Sequence, residues 1–518
     1  LPQLAVGIKL RVSITLCILV SLTPFVSGQN EASVWCFGYG VGLDFKKAPP
    51  DTFRAAKYFF TLEGSASISD TSGNLLFYTN GDSVWNKNHV AMKNGYDMGI
   101  SNNPVTASAS QGALIVPLPN SNSLYYVFTT DDAEHRLKNG YRYSIVDMSL
   151  NNGLGDVTTK AQLLVDTVLE KQTAILHSNC TDIWVITHEY NSDAFYAFQL
   201  TENGLTSPPV ISHVGQIQTG IDKIPSTGTI NYQPESMARG YMQSSPDGKK
   251  IVVLPFSDYH RYPGPVEVFS FDNATGEISL DYTVEDVDSV VYYGASFSSN
   301  SEVLYLTAGW HGLFLHQFDM RSENSKDFLA SRNVIHELPM GSNPSVFGGL
   351  SLATDGKIYI SSHKRWMDVI HQPNILGSGC GYEHQYINLP SFSAHSVPNF
   401  MQSYFLPKDE DPCLIDDVDT NNQNPGGVKR IFIPNAFSPN GDEINDDFGI
   451  FGVETSITHM KIYNMWGEKI FDRTGMNPRW DGSYLGLPCP SSVYIYFIDY
   501  VDYTGKNHET HGSVILLD

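Results

Sequence analysis

Ser245–Phe256 reads SPDGKKIVVLPF, and this stretch decides the fold. A polar corner, Ser-Pro-Asp-Gly, feeds a short apolar run that begins near Ile251. That is the pattern of a tight turn leading into a buried strand. The same design returns as ISDTSGNLLFYTNG from Ile68, PNSNSLYYVFTT from Pro119, SNCTDIWVITHEY from Ser178, SSNSEVLYLTAG from Ser298 and ATDGKIYISSH from Ala353. Strands are therefore expected from near Leu75, Leu124, Ile183, Ile251, Val303 and Ile358. A further strand often follows, as in AFYAFQL from Ala194, VEVFSFD from Val266 and LFLHQFD from Leu313. Asp247-Gly248 and Asp355-Gly356 fit two-residue hairpin corners, which need positive φ.

Several strands per unit, recurring along the chain, point to an all-β propeller. A blade cannot bury both of its faces alone, and packing blades around an axis buries them while leaving only short edges. Six units are clear. A seventh is expected from both ends of the body, SVWCFG near Trp35 and NFMQSYF from Asn399, so that the ring closes on itself. No long amphipathic helix lies between the strands, which excludes a doubly wound α/β sheet.

The C-terminal stretch from Arg430 is a second β domain. Runs such as Ile431–Ile433, Lys461–Tyr463 and Val493–Val501 read as strands. Turn signals separate them, among them Ser438-Pro439-Asn440-Gly441, Met465-Trp466-Gly467 and Trp480-Asp481-Gly482. In order, the segments IFIPNAFSPNGDEINDDFGIFG, MKIYNMWGEKIFD, RWDGSYLG, SSVYIYFIDYVDYTGK and HGSVILLD resemble the gliding-motility-associated C-terminal domain of Bacteroidetes, the type B sorting signal of the type IX secretion system. The resemblance implies an Ig-like β-sandwich, a type IX translocon as partner, and a protein that is secreted or held at the cell surface. The body is similar to the WD-repeat-like propellers joined to such sorting domains, through SPDGKKIVV, WCFGYGVGLDF, EGSASISDTSGNLLFYTNGDSVWNKNH, YRYSIVDMSLNNGLGDVTTK and SVPNFMQSYF. That group implies architecture and destination, without a defined activity.

Residues 1–28 read as a signal peptide, with Lys9 and Arg11 ahead of the apolar run Val12–Val20. The run is too short to span a bilayer. The propeller is expected over 32–408, an acidic Asn/Pro/Gly-rich linker over 409–429 and the sorting domain over 430–518. The formal charge is −23. Such a surface repels nucleic acid and anionic membrane, so neither is an expected partner. Beyond the leader stand Cys36, Cys180, Cys380, Cys413 and Cys489, an odd number. Cys380 with Cys413 is the expected pair, both lying near the end of the body, and five free thiols are the alternative.

The sequence contains no GxSxG elbow, HExxH helix or Walker loop. Four loops gather aromatic and ionisable groups that suit sugar faces or peptides. They hold Asp131, Asp132 and His135; Tyr259 and His260; Trp310 and His311; and His363, Arg365 and Trp366. Packing between blades is the alternative role for each. In the sorting domain Asp442, Asn445 and Asp446 crowd oxygen ligands into one loop, where Ca2+ could bind or the loop could merely cap its own backbone. No other cofactor is expected. These features favour a non-catalytic binding or adhesion module for an extracellular glycan or protein. A polysaccharide- or peptide-degrading enzyme with its site in the propeller channel, or a structural surface or gliding component, is the alternative.

Overall fold

The computed structural model describes residues 30–99, 108–219, 236–256, 264–285, 290–308, 313–338, 346–407, 410, 413, 436–439, 446–449, 456–475, 478–501 and 507–517. The chain divides into two compact units, Leu1–Ile415 and Asp416–Asp518. Both are built on β-structure, and the one α-helix among the described residues, Ser325–Ala330, has six residues. No helix among the described residues is long and apolar enough to cross a membrane. The expected leader, 1–28, and most of the expected linker lie outside the described residues.

Small antiparallel sheets follow one another through the first unit. The first sheet holds Val34–Phe37, Val41–Asp44 and Asp51–Arg54, and the second Ala66–Ser69, Leu75–Thr79 and Val84–Asn86. The third is Ala113–Pro117, Leu124–Thr130, Tyr141–Asp147 and Asp156–Val165. The fourth runs Val168–Leu176, Ile183–Glu189 and Ser192–Thr201, with Gly204–Leu205 and Val210–Gln218 both on its outer strand. The fifth is Met242–Ser244, Lys250–Val253, Val266–Phe271 and Ile278–Val284. Tyr292–Phe297, Val303–Ala308, Phe314–Asp319 and Asn333–Glu337 make the sixth. Leu350–Leu352, Ile358–Ser361, Trp366–Ile370 and Tyr382–Asn388 make the seventh. From the second sheet on, the strand expected from the sequence is the second of its sheet, starting at or within one residue of the expected position.

The first strands of successive sheets touch in chain order from the second sheet to the seventh. Beyond the seventh, Gly349 N–H donates to His395 O at 2.9 Å and His395 N–H to Leu62 O at 2.9 Å. Ser65 bridges Pro398, and Tyr39 N–H donates to Phe392 O at 2.9 Å. The two ends of the unit therefore meet. Trp35 pins the junction: it is fully buried, and its ring lies 6.0 Å from Tyr359 and 5.9 Å from Phe400. A buried ring of this size removes on the order of 200 Å² from water. At ~25 cal/mol per Å² that is roughly 5 kcal/mol of transfer free energy.

One turn joins first to second strand in sheet after sheet. Gly73, Cys180, Gly248, Ser301 and Gly356 each donate their N–H to the carbonyl three residues back, at 2.8–3.0 Å. All five have φ between +62° and +78°. This corrects the two-residue corner expected at Asp247-Gly248 and Asp355-Gly356. Asp247 and Asp355 keep negative φ, and only the last residue of the turn is left-handed. Pro246 sets the first central φ near −65°, which suits a type I turn rather than its mirror image.

The expected Cys380–Cys413 pair is also corrected. Cys413 bonds Cys180, with the two Cα atoms 5.2 Å apart. Cys180 stands at the tip of the fourth sheet's first turn, whereas Cys380 is sealed in the core as a free thiol. Nearness along the chain was the wrong guide, because the turn of a distant sheet comes closer. Cys36 and Cys489 are also free.

The second unit is one five-stranded sheet and a hairpin among the described residues. The sheet runs Ala436–Phe437, Asn507–Leu516, Ser492–Val501, Ser456–Tyr463, Lys469–Thr474. Alternation in the third of these buries Tyr494, Tyr496 and Ile498 and exposes Val493, Ile495 and Phe497. The buried face packs with Phe437, Phe448 and Trp480. The hairpin pairs Ser483–Tyr484 with Leu487–Pro488.

Candidate functional site

In a four-stranded meander, the loop between second and third strands lies at the same end as the start of the first strand. The four loops singled out from the sequence all join second to third strands, in the third, fifth, sixth and seventh sheets. The Asp131–His135 and His363–Trp366 loops therefore lie at one end of the unit, opposite the recurring turn. Tyr259, His260, Trp310 and His311 lie outside the described residues, as do Asp442 and Asn445 of the second unit. Asp446 is described and half-buried; its neighbour Asp447 pairs with Arg479 at 3.6 Å.

Asp131, Asp132 and His135 are brought together. Asp131 is buried and accepts from Asn139 N–H at 2.9 Å and Asn139 Nδ2 at 3.2 Å. Asp132 is buried and caps the turn Ala133–His135, accepting His135 N–H at 2.9 Å and the imidazole Nδ1 through the same oxygen. Its carboxyl is raised above the ordinary range by burial. The next two residues, Arg136 and Leu137, both have positive φ. Such backbone costs about 1–2 kcal/mol per residue, so the loop is held by its surroundings.

His363 and Arg365 pack onto the segment that joins the two ends of the unit. The His363 ring lies 5.0 Å from that of His395, and the His363 backbone N–H donates to Ala394 O at 2.9 Å. Burial lowers the His363 pKa. Arg365 is exposed and places its guanidinium 5.2 Å above the Phe392 ring. Trp366 is half-buried beside His384.

Between these two groups runs a chain of buried polar side chains that sequence reading did not find. His395 packs on Tyr293, and Tyr293 interacts electrostatically with Glu63. Ser110 Oγ lies 3.0 Å from Glu63 Oε2 and 2.9 Å from Glu170 Oε2, and it accepts Gly240 N–H at 3.0 Å. Glu170 also accepts Ser110 N–H at 2.8 Å and Ala133 N–H at 2.7 Å, which ties it to the Asp131–His135 loop. A hydroxyl has one proton and two lone pairs. With Gly240 on one lone pair, Ser110 can donate to only one carboxylate, so the other carboxyl carries its own proton. Glu170 takes the two backbone donors and is the anion; Glu63 is the acid. Glu63 is held well above the usual range by burial and then by the Glu170 charge. Glu170 is pushed up to about 7 by burial and the nearby Glu134 charge.

Next in the chain, Lys171 Nζ donates to Met237 O at 3.0 Å and Ala238 O at 2.9 Å. Burial pulls its pKa down to about 7. His188 and His395 are lowered by burial to about 4. One sequence signal pointed here. Glu170-Lys171-Gln172-Thr173 sits between Val168-Leu169 and Ala174-Ile175, and every residue from Val168 to Ile175 is buried. Charged side chains within an apolar strand are buried only when they are paired.

At the opposite end, a cavity of about 250 Å³ lies among Ile175, His177, Pro246, Asn273, Leu406 and Cys413. Its walls carry no ionisable group from the four loops.

Residues 431–516 match the family model of the CHU_C type IX secretion signal domain. That domain marks the protein for export to the cell surface or beyond. No curated protein sequence matches the chain. Among solved structures, the periplasmic gluconolactonase of Pseudomonas aeruginosa is 13% identical over 76% of this chain and 89% of that one, with a TM-score of 0.36. A protein of unknown function from Dyadobacter fermentans is 11% identical over 52% of this chain and 79% of that one, with a TM-score of 0.31. A gluconolactonase of Xanthomonas campestris is 11% identical over 51% and 85%, with a TM-score of 0.25. Superpositions this loose carry nothing about the chemistry of this chain.

Proposed function

We propose that the first unit is a seven-bladed β-propeller whose loop end binds an extracellular glycan or protein, and that a C-terminal β-sandwich hands it to the type IX translocon. On this reading the first sheet, around Trp35, and the segment from Asn399 form the blade that closes the ring. The domains are then the propeller over 32–408, a linker over 409–429 and the sorting domain over 430–518. One observation carries the binding site. The Asp131–His135 and His363–Trp366 loops share a single end, over a continuous buried polar chain, while the other end carries the same plain turn in sheet after sheet.

What supports binding over cleavage is the state of the acid pair. Glu63 and Glu170 are 5% and 0% exposed, and Glu170 already accepts from three protein donors. A substrate cannot reach a carboxylate that the fold has already used. The ligand contacts assigned are Asp131, Asp132, His135, His363, Arg365 and Trp366, with Tyr259, His260, Trp310 and His311 from the two remaining loops.

The test is a glycan array probed with the purified protein, together with assay of the bound polymers for chain scission. Binding without scission, weakened at least tenfold by Arg365→Ala, is expected. Scission would replace this reading with the hydrolase or lyase. Delivery is tested separately. Removal of 430–518 should leave the protein inside the outer membrane, and unchanged export would overturn the sorting role.

A further inference from the structure

We propose that Asp131, Asp132 and His135 form a divalent transition-metal site for Mn2+ or Zn2+, open toward solvent at the loop end of the third sheet. Among the described residues these three are a group whose ligand atoms all lie within 4.8 Å of one another. Clustering alone is not sufficient, since acidic groups often meet without an ion. The second observation is Asp132 Oδ2. The side chain is fully buried, its Oδ1 is taken by the loop, and Oδ2 has no hydrogen-bond partner. A buried carboxylate oxygen without a donor is costly, and proteins fill such gaps with a proton, a water or a cation.

The donor set narrows the ion. Two carboxylates and one imidazole suit Mn2+ or Zn2+, whereas Ca2+ takes six to eight oxygens. Asp131 uses one hydrogen bond per oxygen, so each oxygen keeps a free lone pair. The His135 side chain is 39% exposed, which leaves the site an opening. Three protein ligands with an open position are the arrangement of metals that bind an exogenous group, rather than of closed structural sites. At that position a hydroxyl or carboxylate of the extracellular ligand would coordinate. This last step rests on the binding reading above; the metal itself does not.

The experiment uses the whole protein, stripped with chelator and titrated with MnCl2 and ZnCl2 by calorimetry, with Mn2+ binding followed by electron paramagnetic resonance. Wild type should show saturable binding that His135→Ala weakens at least tenfold and Asp132→Asn about a hundredfold. Glu202→Gln, in the exposed turn of the fourth sheet, should not alter it. No saturable binding by wild type, or equal affinity in both loop variants, overturns the site. Asp132 also caps its turn, so circular dichroism must confirm that its variant is folded; if it is not, His135→Ala decides. Glycan binding that persists after metal removal would sink metal-mediated recognition alone. Metal binding with no glycan or protein ligand would sink the binding reading and leave the metal site standing.

Discussion

The two ends of the first unit are built on opposite principles. At the turn end, one backbone device repeats: a carbonyl accepts from the N–H three residues on, and the last residue is left-handed. Glycine supplies that conformation at Gly73, Gly248 and Gly356, while Cys180 and Ser301 adopt it despite a side chain. At the loop end, no two segments share a sequence, and the contacts run through side chains: Glu63, Ser110, Glu170, Lys171, Arg239 and Tyr293. Repetition builds the frame, and the departures from repetition carry the ionisable groups.

The comparison breaks most visibly at Glu170. If the loop end is held by its acid network, Glu170→Gln should destabilise, by a deficit that narrows as pH rises toward 7, because the carboxyl is raised to about 7 and glutamine does not titrate. The amide keeps one acceptor, and its NH2 faces groups that donate. The expected loss is about 3–5 kcal/mol, read from thermal or denaturant unfolding. Glu63→Gln should behave differently, because the amide can donate to Ser110 as the protonated acid does. The folded-state pKa of Glu63 lies well above 4.5. Its proton therefore stabilises the fold fully at low pH, and that contribution fades as pH rises past the carboxyl's unfolded value. Glutamine does not titrate. The melting temperature of Glu63→Gln relative to wild type should thus climb between pH 4.5 and 8. A flat difference would mean that Glu63 is not the proton carrier. Wild type alone would not reveal this, since burial depresses His188 and His395 to about 4 and gives them the opposite slope over the same range.

Next in size is the disulfide, the one covalent device at the turn end. It joins residues 233 apart in sequence and fastens the end of the first unit to the fourth sheet. Cys180→Ser should cost about 2–4 kcal/mol. Reduced wild type should match the variant, and the loop-end network should be untouched. If the loss instead appears as weakened ligand binding at unchanged stability, the two ends are not independent.

How much of this was legible in the sequence follows the same division. The turn-then-strand pattern placed the second strands of six sheets because the same local chemistry recurs at each. Hydrophobic alternation likewise pointed to Lys461–Tyr463 and Val493–Val501, which lie within the strands Ser456–Tyr463 and Ser492–Val501 of the second unit, while Ile431–Ile433 lies outside the described residues. The four loops could be picked out by composition, and the two that are described, Asp131–His135 and His363–Trp366, lie at one end. The acid chain could not be found this way. Glu63 and Ser110 lie in the connections ahead of the second and third sheets and Glu170 in a strand of the fourth, and only the buried charges at Glu170-Lys171 stand out in the sequence. The Cys180–Cys413 pairing was illegible for a related reason, since a closure over that span is fixed by the arrangement of sheets and not by any neighbour in sequence.

The smallest expected effect tests the turn end directly. Gly356 has φ +77°, and a Cβ built there meets nothing within 4 Å. Gly356→Ala therefore isolates the backbone preference, with no steric contribution. An alanine held left-handed costs about 1–2 kcal/mol, offset in part because glycine's freedom in the unfolded chain is also lost. A net loss near 1 kcal/mol is expected in chemical denaturation. Gly248 has nearly the same φ, +69°, but its Cβ would lie 2.8 Å from Ile175 Cγ2. Gly248→Ala should cost more, by whatever the Ile175 side chain must yield. Equal losses at the two sites would show that the turn end tolerates side chains through local movement, and that its regularity reflects backbone conformation alone.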